Sequence, residues 1–158
     1  MRRLNYAVGD WFAVPLREAG FAVGVVARAQ PGGGVLFGYF FGPQRPDVPR
    51  LGDVAHLTAS DAVLVGQFGH LGLQKKKWPN LGRLANWDPQ AWPMPAFVRH
   101  EELTGRTLRV IYADDDPNKR LRTETISPAD AYQGPEDGLM GDGFVEIRLT
   151  KLLAQGQK

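Results

Sequence analysis

The sequence predicts an α+β fold made mostly of antiparallel β-sheet, or a small barrel, with one or two helices at the periphery. Short apolar runs rich in aromatic and β-branched residues recur along the chain, and such runs are typical of strands. The 19 glycines and 12 prolines are scattered, which favours a sheet with many turns over a helical bundle. The length of 158 residues and the hydrophobic fraction of 43% predict one domain over residues 1–158.

The first fifty residues contain the clearest strand pattern. Residues 11–16 and 21–28 are apolar runs joined by a polar turn, so we expect a β-hairpin. Gly24 lies inside the second run and indicates a bulge or a close approach to the backbone. Residues 35–41 predict a third strand with aromatic side chains at every second position, hence on one face. Three prolines then predict a loop over residues 42–49.

The remaining strands are expected to be short. Thr58 or Ser60 is placed to cap a turn of helix, and three prolines make residues 85–98 irregular. Four further extended segments are predicted, of which the last two pair across a turn at 114–120: residues 62–68, 78–84, 107–112 and 121–126.

Two segments carry helix signals. Ser127 followed by Pro128 places a capping residue and a first-turn proline together, so we expect one short helix at residues 127–130. Residues 144–153 fit both a strand and a helix, because their apolar side chains alternate and also share one helical face. The length of that segment and its final two leucines favour a helix.

The composition excludes several classes of protein. The chain has no cysteine, which rules out disulfides and thiolate metal sites. No apolar run approaches the ~18 residues of a membrane span, and nothing near the start resembles a signal peptide. We therefore expect a cytoplasmic protein without a membrane partner. The net charge of +2 is small, so nucleic acid is not an expected partner on charge alone.

No catalytic or metal motif is present. Serine occurs only at Ser60 and Ser127, both in turn or cap positions, and no Gly-x-Ser-x-Gly motif occurs. His56, His70 and His100 lack metal-ligand spacing. The sequence therefore predicts that the protein is not an enzyme and binds no metal or cofactor. An acid–base role for a pair of carboxylates remains an alternative.

Two positions are candidates for binding a partner. Asp114, Asp115 and Asp116 follow a predicted strand and have no obvious role in folding, and they suit a basic partner surface. Trp87 lies in the proline-rich segment, and exposed tryptophans are frequent anchors of interfaces. For the other two tryptophans near this segment, Trp78 and Trp92, we expect burial in the core.

Four stretches in order along the chain resemble the immunity protein 26 family of bacterial polymorphic-toxin systems. Val8-Gly9-Asp10-Trp11-Phe12-Ala13-Val14-Pro15-Leu16 and Phe21-Ala22-Val23-Gly24-Val25-Val26 resemble its opening hairpin. Lys77-Trp78-Pro79-Asn80-Leu81-Gly82 and Trp92-Pro93-Met94-Pro95-Ala96-Phe97 are similar to its later segments. The resemblance implies a protein encoded beside a toxin, which it binds and neutralises by occluding the toxin surface. It supplies no catalytic residues, and the net charge of +2 differs from the acidic character of many inhibitors of nucleases.

The leading alternative is a nucleic-acid-binding or regulatory domain. Lys75, Lys76 and Lys77 precede Trp78, and single-stranded nucleic acids bind to such combinations of positive charge and aromatic rings. A small enzyme that uses the aspartates at 114–116 is the third possibility. The oligomeric state stays open at this stage.

Overall fold

The computed structural model describes residues 3–127, 129–130 and 132–155. Two α-helices lie within these residues, α1 (Leu71–Gln74) and α2 (Asp142–Ala154), together with 3-10 turns at Leu51–Val54, Ala59–Asp61 and Pro89–Ala91. The strands are β1 (Asp10–Pro15), β2 (Phe21–Ala29), β3 (Val35–Arg45), β4 (Leu64–Gly69), β5 (Asn80–Arg83), β6 (Phe97–His100), β7 (Thr107–Ala113), β8 (Asp116–Ile126) and β9 (Leu139–Met140).

The strands form two open sheets. The larger sheet has the order β5-β1-β2-β3-β4-β9, and the smaller has the order β6-β7-β8. All strand pairs are antiparallel except β4 with β9, which is parallel. The predicted α+β class, mostly antiparallel sheet with peripheral helices, is confirmed; within the described residues neither sheet closes into a barrel. No helix among them is long and apolar enough to cross a bilayer.

Both faces of the larger sheet are buried. On one face, aromatic and aliphatic side chains of β1 to β4 pack against Trp78, Leu73 and the Val145–Leu149 stripe of α2. On the other face, side chains from β1 to β3 pack against Val54, Trp92 and the smaller sheet. The alternation predicted for β3 is confirmed, because Phe37, Tyr39 and Phe41 all belong to this second core.

Gly24 makes room for the rings of the first core. A Cβ at this position would lie 2.6 Å from Cζ of Phe12 and 2.9 Å from Cδ2 of Phe40. The structure therefore supports the close approach that the sequence indicated. The irregularities of β2 lie elsewhere, where its pairing with β3 shifts between Phe21 and Val23 and between Val26 and Arg28.

Two predicted loops are shorter than expected, because prolines are tolerated at sheet edges. β3 continues through Pro43 to Arg45, although residues 42–49 were expected to form a loop. β4 pairs with β3 only as far as Phe40, so a proline beyond that point removes no hydrogen bond from the β3–β4 ladder. Likewise β8, the edge strand of the smaller sheet, starts at Asp116 and includes Pro117. The turn that was predicted over residues 114–120 is therefore only two residues long.

The helix predictions have different outcomes. Residues 144–153 are helical within α2, which favours that alternative over a strand. The Thr58 cap is also confirmed, since it precedes the 3-10 turn Ala59–Asp61. The helix expected at residues 127–130 falls partly outside the described residues, at 128. Among its described neighbours, the Asp130 amide donates to the Ser127 carbonyl at 2.9 Å, which is a single turn.

Trp78 fixes α2 onto the larger sheet. Its side chain is 1% exposed and its ring stacks on Phe12 with 5.5 Å between centroids. Its indole Nε1 donates to Oε2 of Glu146 in α2 at 2.9 Å. The burial expected from the sequence is therefore confirmed, and the indole adds a polar contact to the apolar packing.

We expect Trp78→Ala to lower the free energy of unfolding by about 3–5 kcal/mol, as for other large core truncations. Urea denaturation followed by circular dichroism measures this change. Lys75→Ala, an exposed change three residues away, serves as the control and should alter stability by less than about 0.5 kcal/mol. A Trp78→Ala protein with the parent's midpoint would show that this ring does not hold the helix.

Candidate functional site

Arg28 is a buried residue that connects the two regions carrying the predicted site residues. The pairing of β2 with β3 shifts after Val26, so Arg28 lies opposite Phe37 and faces the second core. A bulge of this kind re-aims one side chain to the other face of a sheet. The buried guanidinium donates from Nη1 to the carbonyls of Ala27 and Trp92, at 2.7 and 3.0 Å.

The same guanidinium holds the aspartate turn. Nη2 of Arg28 lies 3.2 Å from Oδ1 of Asp114, whose side chain is 79% exposed, and 3.3 Å from the carbonyl of Pro89. Asp116 begins β8, and its carboxylate accepts a hydrogen bond from the Asn118 amide at 2.9 Å. Asp115 is exposed. Two of the three aspartates therefore have a structural contact that the sequence did not indicate.

Trp87 belongs to the same neighbourhood. Its ring is half-buried and stacks on Trp92, with 6.3 Å between centroids and an interplanar angle of 13°. Trp92 in turn packs edge-on against Trp11 and Tyr39 and is itself buried, as expected. A cavity of about 250 Å³ lies beside Trp87. We call Arg28, Trp87, Trp92 and the three aspartates the Arg28 face; it brings the two candidate regions together through Arg28 and Trp92.

A larger groove, of about 910 Å³, lies beside the outer edge of β4. One wall is the segment 134–141, which links the smaller sheet to the larger one, and another is the start of α2, at Phe144 and Arg148. Residues 63–66 also line the groove. Leu139 and Phe144 are 60% and 53% exposed, so the groove presents apolar side chains to solvent.

Asp137 anchors the segment that forms the groove wall. Its nearly buried carboxylate accepts hydrogen bonds from Arg99, with Nε at 2.9 Å, and from the hydroxyl of Tyr112. The hydrogen bond to Asp137 raises the pKa of the Arg99 guanidinium. Burial raises the pKa of Tyr112, and its hydrogen bond to Asp137 raises it further. The three groups form a fixed structural network between β6, β7 and the linking segment.

Backbone pairing continues this connection on both sides. The amide of Val98 donates to the carbonyl of Pro135, and the amide of Asp137 donates to the carbonyl of Val98, each at 2.8 Å. Two residues later, β9 pairs with Gln67 and Phe68 of β4. The segment thus ties an edge of one sheet to an edge of the other and leaves the groove between them.

The lysine run does not present the features of a nucleic-acid channel. Lys77 forms an ion pair with Asp142, whose pKa this contact lowers, so one of the three charges is engaged in holding α2. The ring of Trp78 is buried and offers no face for a base to stack on. Lys75 and Lys76 are exposed, as expected for a solvated turn.

His70 and Ser60 take part in local structural hydrogen bonds. Nδ1 of His70 lies 2.9 Å from the hydroxyl of Tyr6 and accepts a hydrogen bond from the Gly34 amide at 3.2 Å. This histidine therefore stabilises the start of β3 and the end of β4. The hydroxyl of Ser60 lies 3.0 Å from that of Thr58 in an exposed cap. No group of three or more potential metal ligands converges within the described residues.

Sequence reasoning missed Arg28 and the groove. Arg28 is the last residue of the predicted run 21–28, and no local pattern indicates that a β-bulge directs its side chain into the second core. The groove combines residues 63–66 with residues 134–148, which only the tertiary fold brings together. The exposed apolar side chains of Leu139 and Phe144 give no periodic signal in the sequence.

We expect Arg28→Met to lower the free energy of unfolding by about 2–4 kcal/mol, because buried carbonyls lose their donor. Asp114→Asn should change it by less than about 1 kcal/mol, since the Asp114 carboxylate is 79% exposed to solvent and the asparagine side-chain oxygen can still accept a hydrogen bond from Arg28. Urea denaturation of both variants, with the exposed Arg120→Met as control, measures the difference. Equal stability of Arg28→Met and Arg120→Met would contradict a structural role for Arg28.

Comparison with known proteins gives one family match. The family model described as Immunity protein 26 matches residues 7–108, which include β1 to β6, the whole aromatic segment with Trp87, and the β4 edge of the groove. No curated protein and no solved structure matches the chain. Since the match covers more than half of the 158 residues, the chain belongs to the immunity protein 26 family.

Proposed function

We propose that the chain, acting as one immunity-type domain over residues 1–158, binds a cognate toxin domain and neutralises it by occluding the toxin surface. Family membership is the observation that carries this proposal. An immunity protein acts through the partner that it holds, so binding and not catalysis is the proposed activity. The toxin is the product of the gene beside this one.

The Arg28 face has the composition of a binding surface. Trp87 is a half-exposed aromatic ring fixed by stacking on Trp92, and such rigid anchors contribute most to interface energies. The aspartates at 114–116 add acidic side chains to this face, where Arg28 connects Asp114 to the carbonyl of Trp92, although the chain as a whole carries +2. A basic toxin surface complements this charge, and complementary charge speeds association and selects the partner.

Rigidity also favours this face. Arg28 joins the aspartate turn to the carbonyls of Pro89 and Trp92, so the two regions are fixed relative to one another before a partner arrives. Preorganised surfaces lose less conformational entropy on binding. A nanomolar complex needs about −12 kcal/mol and an interface of roughly 800 Å² on each partner. That area is about a tenth of the 8906 Å² surface of the chain.

The test is to express the adjacent toxin domain in a susceptible host with and without this protein. We expect the parent to restore growth. The combined Asp114→Asn, Asp115→Asn and Asp116→Asn variant and the Trp87→Ala variant should each weaken toxin binding at least tenfold in calorimetry, because charge complementarity or the aromatic anchor is lost.

Matched controls separate a binding defect from a folding defect. Asp47→Asn and Glu102→Gln remove exposed acidic charges elsewhere and should bind like the parent. All variants must keep the parent's melting temperature within a few degrees. Parental binding by both test variants would overturn the assignment of the Arg28 face, whereas failure of the parent to bind or protect would overturn the proposed function.

A further inference from the structure

We infer that the groove beside β4 receives an extended segment of the toxin, which adds to the open edge of β4 as a further strand. The inference rests on the proposed function and assigns a second contact region to it. The groove contains an unpaired strand edge, apolar walls and a free cationic side chain, and an extended peptide complements all three.

The outer edge of β4 is only partly covered. β9 pairs with Gln67 and Phe68, and among the described residues no strand lies beside residues 64–66 on that side. The amide of His70 donates to Gly34, so in the alternating antiparallel ladder the even-numbered residues of β4 face β3. The amide and carbonyl of Val65 therefore point toward the groove. An open edge of this kind is a template for pairing with another chain.

The size and lining of the groove suit a short strand. One extended residue occupies roughly 160 Å³, from a rise of about 3.3 Å, a strand spacing of about 4.8 Å and a layer thickness of about 10 Å. The groove of about 910 Å³ therefore has room for a short extended segment, of which the part beside residues 64–66 can pair with β4. Leu64, Leu139, Met140 and Phe144 line it, so the segment carries apolar residues.

The charge in the groove specifies the segment further. Arg148 lies one turn after Phe144 on α2, is exposed and forms no ion pair with any described residue. A carboxylate on the bound segment provides the missing partner and a bidentate hydrogen bond. Glu136 on the linking segment is likewise exposed without an ion pair among the described residues, which favours a basic residue at the part of the segment that faces it.

A second copy of this chain fits the groove poorly. A twofold contact places the same surface of each copy against the other. Here Val65 is half-buried, whereas Leu139 and Phe144, which line the same groove, are 60% and 53% exposed, so we infer that the backbone edge is recessed behind them. Two recessed edges do not reach one another, whereas the groove of about 910 Å³ has room for a single extended segment.

Hydrogen exchange measured by NMR tests the inference on the full chain and the adjacent toxin domain. In the free protein the Val65 amide should exchange rapidly. Saturation with the toxin domain should slow its exchange at least tenfold, whereas the amide of Leu81 in β5, at the opposite edge of the sheet, should change less than twofold.

A charge reversal provides a second readout that does not depend on the backbone. Arg148→Glu should weaken toxin binding at least tenfold, and Lys75→Glu, the same change at another exposed cation without an ion pair among the described residues, should bind within twofold of the parent. Unchanged Val65 exchange, or parental binding by Arg148→Glu, would overturn the groove assignment while leaving the proposed function in place.

Two other outcomes of these experiments would also overturn the groove assignment. Protection of Val65 in the free protein that increases with its concentration would assign the groove to a second copy and overturn the inference. No binding between the parent and the toxin domain would overturn the proposed function and the groove assignment together.

Discussion

The structure depends on one constraint: β1, β2 and β3 are buried on both faces. A sheet in this position needs an apolar layer on each side. These close-packed layers leave little room for charged side chains on either face. The first layer comes from the Trp78 segment and α2, and the second from the aromatic segment and the smaller sheet. The Arg28 face lies where the second layer meets the end of β2, and the groove lies at the edge of β4.

The Arg28 face follows from this constraint. A charged side chain in the second core requires several hydrogen bonds, because burial of an unpaired charge is strongly unfavourable. Arg28 obtains them from carbonyls of the irregular aromatic segment and from Asp114. The guanidinium thereby fixes two loops that have few regular hydrogen bonds of their own. The same hydrogen bonds of Arg28 therefore stabilise the core and hold the proposed binding face rigid.

The groove has a related origin. The smaller sheet covers one face of the larger sheet, and the chain must return from it to place α2 on the opposite face. The linking segment makes this passage along the edges of both sheets, held by Asp137. Because β9 contributes only two residues, half of β4 keeps an open edge. The connection that completes the fold therefore also creates the groove.

Local patterns predicted the central part of the fold well. The hairpin of β1 and β2, the aromatic face of β3 and the burial of Trp78 and Trp92 depend on alternation and side-chain size, which are visible within a few residues. The ends of β3 and β8 were missed, because whether a proline ends a strand depends on which neighbours that strand has. Trp87 is less buried than Trp78 and Trp92, the two tryptophans for which burial was expected, and its link to the aspartates depends on Arg28.

The groove was not predictable for a similar reason. Val65 looks like any strand residue, and only the absence of a neighbouring strand makes its backbone available. Arg148 belongs to a segment whose sequence fits both a helix and a strand. The direction of its side chain could therefore not be predicted before the segment was known to be helical. Properties set by long-range neighbours, such as open edges and free charges, are not encoded in a short window of sequence.

A crystal structure of the chain in complex with its adjacent toxin domain tests the central claim most directly. The account predicts that the toxin covers the Arg28 face, with contacts to Trp87 and the aspartate turn, and that one toxin segment pairs with residues 64–66 of β4. An interface that leaves both surfaces in solvent, for example one formed around Lys75 and Lys76, would contradict it.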